Sequence, residues 1–159
     1  MTRLKIIPLV LSIGVCFLAA GIGSRFTTSA IDTWYTTLQK PFFNPPNWIF
    51  GPVWTLLYLI MGISLYIVWI AKVEKKAKLQ GITFFFIQLA LNVLWSILFF
   101  GLKSPSAAFV GIVLLWLAIF LTIKNFLKIS MFAGWFLIPY IAWVSLASVL
   151  NLSIIILNR

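Results

Sequence analysis

Residues 48–71 read WIFGPVWTLLYLIMGISLYIVWIA, a run without one charged side chain. As an α-helix rising 1.5 Å per residue, a run of this length extends about 36 Å. That is enough to cross the roughly 30 Å hydrocarbon layer of a bilayer. It is twice as long as a barrel strand and does not alternate polar and apolar residues, which argues against a membrane β-barrel. A surface helix of a soluble domain would carry a charged face, and none is present. The segment reads as a transmembrane helix.

Working outward, four more stretches meet the same criterion: Ile6–Gly23, Gly81–Gly101, Ser106–Ile123 and Met131–Leu157. With Trp48–Ala71 they describe an all-α membrane protein, a five-transmembrane-helix bundle forming one domain over residues 1–159. Bulk composition agrees. Hydrophobic residues make up 63% of the chain and charged residues 9%, against about 25% charged in soluble domains; the mean hydropathy is +1.12. This much apolar surface cannot be hidden inside one small core, so lipid must solvate much of it. The expected location is multi-pass and integral to a membrane. Arg3 and Lys5, followed by an apolar run and Ala19-Ala20-Gly21, also resemble a cleavable signal peptide. The apolar run exceeds the usual 7–15-residue signal core, which favours a retained span.

Most connections are short: Lys72–Gln80 is charged, Leu102–Pro105 is tight, and Asn125–Ser130 is a brief link. Ser104 is placed to cap the fourth helix, with Pro105 at its first position. The exception is the long loop at about residues 24–47, which carries Asp32, Trp34, Tyr35, Lys40, Pro41, Pro45 and Pro46. Loops of this length in compact proteins are commonly lids or binding elements.

The formal charge of +10 comes from twelve basic residues. They lie at the ends of apolar runs and between them, a pattern of membrane anchoring rather than nucleic-acid binding. Arg3, Lys5, Lys72, Lys75, Lys76, Lys78, Lys124 and Lys128 share one face; Arg25, Lys40, Lys103 and Arg159 share the other. This bias puts the N-terminus inside and the long loop outside.

There is no His, and the only acids are Asp32 and Glu74. That excludes a His-ligated metal or haem and the Ser-His-Asp or Cys-His catalytic groups. No metal or cofactor is expected. Paired intramembrane carboxylates of the proton-pump kind are missing too. The single Cys16 lies in an apolar run and reads as a small core residue.

At about 100° per residue, three spans carry a coherent face of rings and amides. These are Phe50, Trp54, Tyr58 and Met61 on the second span, Gln88, Asn92, Trp95 and Phe99 on the third, and Tyr140, Trp143, Ala147 and Asn151 on the fifth. Amides in hydrocarbon must face the bundle interior to be satisfied. An apolar cavity with a few polar fixing points is the usual make-up of a small-molecule site. The same pattern also suits plain packing, with amides as interhelical glue. Trp34, Trp48, Trp69 and Trp135 fit an interface belt, whereas Trp54, Trp95, Trp116 and Trp143 lie deeper. Pro52 and Pro139 interrupt helical runs and permit bends. The small pairs Ala19/Gly23 and Ala107/Gly111 allow close helix contact within the bundle or between two copies.

The runs Trp34-Tyr35-x-x-Leu38-x-Lys40-Pro41 and Asn44-Pro45-Pro46-x-Trp48-x-Phe50-Gly51-Pro52-Val53-Trp54 resemble the translocator protein family. Its members are also called tryptophan-rich sensory proteins or peripheral-type benzodiazepine receptors. Tyr58-Leu59-x-Met61-Gly62, Gln88-Leu89-Ala90-Leu91-Asn92-x-x-Trp95 with Phe99-Phe100-Gly101, and Pro139-Tyr140-x-Ala142-Trp143 with Ala147, Leu150 and Asn151 agree in register. The resemblance implies a five-helix bundle, often homodimeric, with a pocket opening under the first long loop. Its implied partners are porphyrins and other tetrapyrroles, sterols in the animal proteins, or other lipophilic small molecules. The ligand site it implies comprises Tyr35, Pro46, Trp54, Gln88, Asn92, Trp95, Trp143 and Ala147. Light-dependent porphyrin breakdown, reported for some bacterial members, would fall to Trp54 and Trp143 as candidate catalytic residues. The family's sterol motif has a Tyr after the Leu-Asn pair; here Leu150-Asn151 is followed by Leu152, which makes tetrapyrroles the better expectation. Three functions follow from the resemblance: a binding or sensing protein, a porphyrin-degrading enzyme, or a transporter of lipophiles. The lack of intramembrane charge argues against ion-coupled transport.

Overall fold

The computed structural model describes residues 5–159; Arg3, counted above on the N-terminal face, lies outside them. The helices are α1 (Ile6–Ile31), α2 (Asn47–Ile70), α3 (Lys75–Ser96, continued by a π-helical turn at Ile97–Gly101), α4 (Pro105–Ile129), α5 (Met131–Phe136) and α6 (Ile138–Leu157). α5 and α6 together make the fifth span. Five spans are thus long and apolar enough to cross a membrane, and no strand occurs among the described residues.

Three helix ends fall well beyond the apolar runs, each for a local reason. α1 continues past Gly23 to Ile31 because its hydroxyls bond to carbonyls of their own helix: Ser24 to Gly21 (3.1 Å), Thr27 to Gly23 (3.3 Å), Thr28 to Ser24 (2.8 Å) and Ser29 to Phe26 (2.9 Å). Polar side chains satisfied in this way need no water, so a hydropathy boundary is not a helix boundary. The long loop expected at about residues 24–47 is therefore shorter, Asp32–Pro46, with a 3₁₀ turn at Tyr35–Thr37. α3 starts at Lys75 because Lys and Gln are good helix formers, and the Lys78 ammonium donates to the Trp69 carbonyl at the end of α2 (2.9 Å). α4 likewise runs through Lys124 and Lys128, leaving Ser130 alone as the link to α5.

Pro105 stands in the first turn of α4 as its spacing suggested, but Ser104 makes no side-chain cap; only its carbonyl engages, accepting from Ala108 N–H (3.0 Å). Lys103, at φ 51°, turns the chain in the left-handed region, a conformation that costs an ordinary residue about 1 kcal/mol or more. The π turn precedes it: Leu102 N–H reaches the Ile97 carbonyl at 2.7 Å. Pro139 lacks the N–H that would continue the ladder, and the fifth span breaks at Leu137.

α1 packs on α2 and α3, α3 on α4, and α4 on α5 and α6. The Ala19/Gly23 pair is buried inside the bundle; a Cβ on Gly23 would stand 3.3 Å from Ser96 Oγ. In the first two turns of α4 Ala108 and Gly111 are buried, while Ala107 is exposed. The core is rich in rings, with Phe85 stacked on Phe126 at 5.8 Å and Tyr140, Phe85 and Phe126 fully buried.

Candidate functional site

α1 and α2 meet closely at one level and leave space at another. At the close level Gly62 supplies no side chain: a Cβ there would lie 2.8 Å from the Ile13 Cα. Toward the loop, a cavity of about 540 Å³ lies between the two helices, backed by α3. At its loop end they are bridged again by two lining residues, where Asn47 Nδ2 donates to the Ile31 carbonyl (3.4 Å). The cavity falls in the size range of small-molecule sites, roughly 300–1,000 Å³.

Its walls are aromatic with sparse polar points. α2 contributes Phe50, Trp54 and Tyr58; α3 contributes Asn92, Trp95 and Ser96, with Phe100 from the π turn; α1 contributes Gly23, Ser24, Thr27 and Thr28. Trp54 stands 6.3 Å from Trp95 and 5.8 Å from Tyr58, ring centre to ring centre. Among the described residues no carboxylate, ammonium or thiol lines the cavity, and the wall they form offers stacking and neutral hydrogen bonds.

The amides are held in a chain behind this wall. Tyr58 hydroxyl donates to Asn92 Oδ1, Asn92 Nδ2 donates to the Tyr140 oxygen, and Tyr140 hydroxyl donates to Gln88 Oε1, each at 2.7 Å. Trp95 Nε1 donates to Asn151 Oδ1 (3.2 Å), and Asn151 Nδ2 to the Pro105 carbonyl (2.8 Å). Gln88, Asn92 and Asn151 therefore knit α2, α3, α4 and α6 together, the interhelical role their residue type allowed. Asn92 also reaches the cavity surface.

The residues singled out from sequence divide into groups. Trp54, Asn92 and Trp95 line the main cavity. Tyr35 and Ala147 line a second void of about 20 Å³, which shares Phe50, Trp95 and Phe100 with the first. The Trp143 ring meets Phe50 edge-on at 6.0 Å, and its indole N–H is buried with no acceptor among the described residues. Gln88 lies two hydrogen bonds behind Asn92, through Tyr140. Pro46 is exposed at the N-cap of α2.

The loop does not form the cavity wall: none of residues 32–46 lines it. It is nevertheless well held. Tyr35 is buried and donates to Asn44 Oδ1 (2.7 Å); burial pushes its phenol up to about 12, against a smaller opposing effect of the Asn44 bond. Lys40 Nζ donates to the carbonyls of Tyr35 (2.8 Å) and Leu38 (3.0 Å) and sits 4.9 Å from the Tyr35 ring centre. Asn158 and Gln39 exchange two bonds of 2.9 Å, tying the loop to the end of α6.

A family model described as the TspO/MBR family matches residues 12–157. The chain belongs to the TspO/MBR family. It is 46% identical over 154 residues to the tryptophan-rich protein TspO of Chlorobaculum tepidum, covering 97% of this chain and 98% of that one. The tryptophan-rich protein TspO of Archaeoglobus fulgidus is 47% identical over 156 residues, 98% and 99% of the two chains. The human translocator protein is 37% identical over 132 residues, 82% of this chain and 78% of that one. Family membership and the five spans together make this a multi-pass integral membrane protein.

In this TspO/MBR-family chain, part of the cavity wall escaped the sequence reading. Gly23, Ser24, Thr27 and Thr28 fall at the end of the first apolar run and in the loop expected after it, yet their spacing of three and four is helical. That spacing, continued from Ala20, was the available signal. Trp48, assigned to the interface belt, is indeed 74% exposed but also borders the cavity.

Proposed function

We propose that this TspO/MBR-family protein is a membrane binding or sensing protein for flat hydrophobic aromatic ligands, porphyrins and related tetrapyrroles foremost. The observation that carries the reading is the 540 Å³ cavity, whose wall brings Trp54, Trp95, Phe50, Phe100 and Tyr58 together with one amide, Asn92. Flat rings gain from stacking and edge contacts on such walls, about 0.5–1.5 kcal/mol per ring pair beyond area burial. Asn92 supplies orientation. Protoporphyrin IX added to purified protein in the dark should shift its absorbance saturably; a linear, non-saturable change would reject the reading.

Trp54 carries a second reading, light-driven porphyrin oxidation in which dissolved dioxygen is the terminal electron acceptor and the indole relays electrons as a donor to the photoexcited porphyrin. Its indole is on the cavity wall, with Trp95 and Tyr58 within 6.3 Å as neighbours able to pass on an electron. Illuminating the saturated complex tests this. Porphyrin loss that requires both light and protein supports chemistry, and loss at the protein-free rate restricts the protein to binding.

A further inference from the structure

We propose that the cavity is loaded sideways from the bilayer, through the slot between α1 and α2, rather than from water through the loop. The inference rests on the ligand-binding reading of this cavity and specifies where its ligand is drawn from: molecules dissolved in the lipid.

The cavity is closed on three sides. Behind it stands α3, with Asn92, Trp95 and Ser96 buried. At one end the Gly62–Ile13 approach leaves no room even for a methyl group. At the loop end the lining residues Asn47 and Ile31 are bridged by the Asn47 Nδ2 bond to the Ile31 carbonyl. The fourth side is the outer face of the bundle. Lining residues there are exposed, on α1 at Phe17, Gly21, Ser24 and Thr28, and on α2 at Gly51 and Thr55. Both helices are long and apolar enough to be spans, and the Phe17–Gly21 part of this side lies within the first apolar run, which faces hydrocarbon.

The chemistry of the slot suits an apolar traveller. Gly21 and Gly51 both line the slot as exposed small residues, and a Cβ on either would meet nothing within 4 Å. The rim hydroxyls are already committed: Ser24 to Gly21 O (3.1 Å), Thr28 to Ser24 O (2.8 Å) and Thr55 to Gly51 O (2.9 Å). Their protons are not left dangling in lipid, and a ring sliding past breaks no hydrogen bond.

The test exploits the open space at the two glycines. Gly21→Phe and Gly51→Phe narrow the slot without displacing a neighbour, and Gly14→Phe is a lipid-facing control with equally open surroundings. Protein reconstituted in phosphatidylcholine vesicles is mixed with vesicles preloaded with protoporphyrin IX, and the dark absorbance shift is followed in time. Association and dissociation should both slow about ten-fold in the two slot variants while Kd hardly changes, because a narrowed passage alters the barrier and not the end states. Gly14→Phe should keep the parent rates, and Asn47→Ala, which loosens the loop end, should not speed association. Parent rates in both slot variants would overturn the route. So would faster association in Asn47→Ala, or weaker binding in the slot variants with unchanged association, which would make these glycines mere site wall. A parent protein that shows no saturable shift overturns the binding reading itself and the route with it.

Discussion

The Tyr58 hydroxyl donates to Asn92 Oδ1 at 2.7 Å across the α2–α3 contact, and both residues surface in the cavity. One bond thus serves the bundle and the site together. Asn92→Leu should leave the chain folded, strand the Tyr58 hydroxyl, and cost about 1–2 kcal/mol. Protoporphyrin affinity should fall as well. Adding Tyr58→Phe removes the stranded donor, so thermal melts should show the double variant more stable than Asn92→Leu alone. Additive losses would mean that the pair is not coupled.

Trp54 and Trp143 should differ. Trp54 lines the cavity, whereas Trp143 stands behind Phe50 at a ring distance of 6.0 Å. In Trp54→Phe the ring is retained, so dark binding should weaken by no more than about 1.5 kcal/mol. Indole oxidises more easily than phenyl, so light-driven porphyrin loss at saturation should drop strongly in Trp54→Phe and less in Trp143→Phe. Equal bleaching in parent and both variants would make the two rings walls only.

Gly62 is the contact on which the α1–α2 approach depends. A methyl group there meets the Ile13 backbone at 2.8 Å, so Gly62→Ala should destabilise by about 1–3 kcal/mol through forced separation of the helices. Gly14→Ala, with open space around it, should be neutral or mildly stabilising because alanine favours the helix. Melting temperatures of the two variants in one detergent make the comparison.

Asn158 holds the loop from the opposite end of the chain by two bonds to Gln39. Asn158→Ala should speed amide hydrogen exchange across residues 36–44 while leaving α2 and α3 protected, a local opening rather than a global one. Unchanged exchange in the loop would show that Tyr35 and Lys40 suffice to hold it.

The distribution of basic residues predicts that the loop faces outward and the α2–α3 turn inward. Cys16 is the only cysteine and is buried, so the parent offers a low background for thiol labelling. In intact cells an impermeant reagent should modify Thr36→Cys and spare Lys76→Cys. The reverse pattern would invert the topology.

The five spans were legible in the sequence because transfer into hydrocarbon is a sum over local side chains, and each run carries its own sum. The missing N–H of a proline is equally local, but it decided less: the fifth span breaks just before Pro139, whereas α2 runs through Pro52 without interruption. The family motifs were legible too, and with them the pocket candidates. What stayed hidden depended on partners distant in sequence. Ser24, Thr27 and Thr28 look like the start of a loop until their hydroxyls are seen to satisfy the helix they extend. Helical spacing put Asn92 and Trp95 on one face, but only packing decided that Asn92 would be held by Tyr58 and Tyr140 and Trp95 by Asn151. The position of the cavity was likewise a tertiary outcome. It depends on where α1 and α2 touch, at Gly62 and Ile13, and where they are bridged again, at Asn47 and Ile31. Hydropathy is additive along a chain and can be read from it; a gap between two helices is set by contacts that no single segment contains.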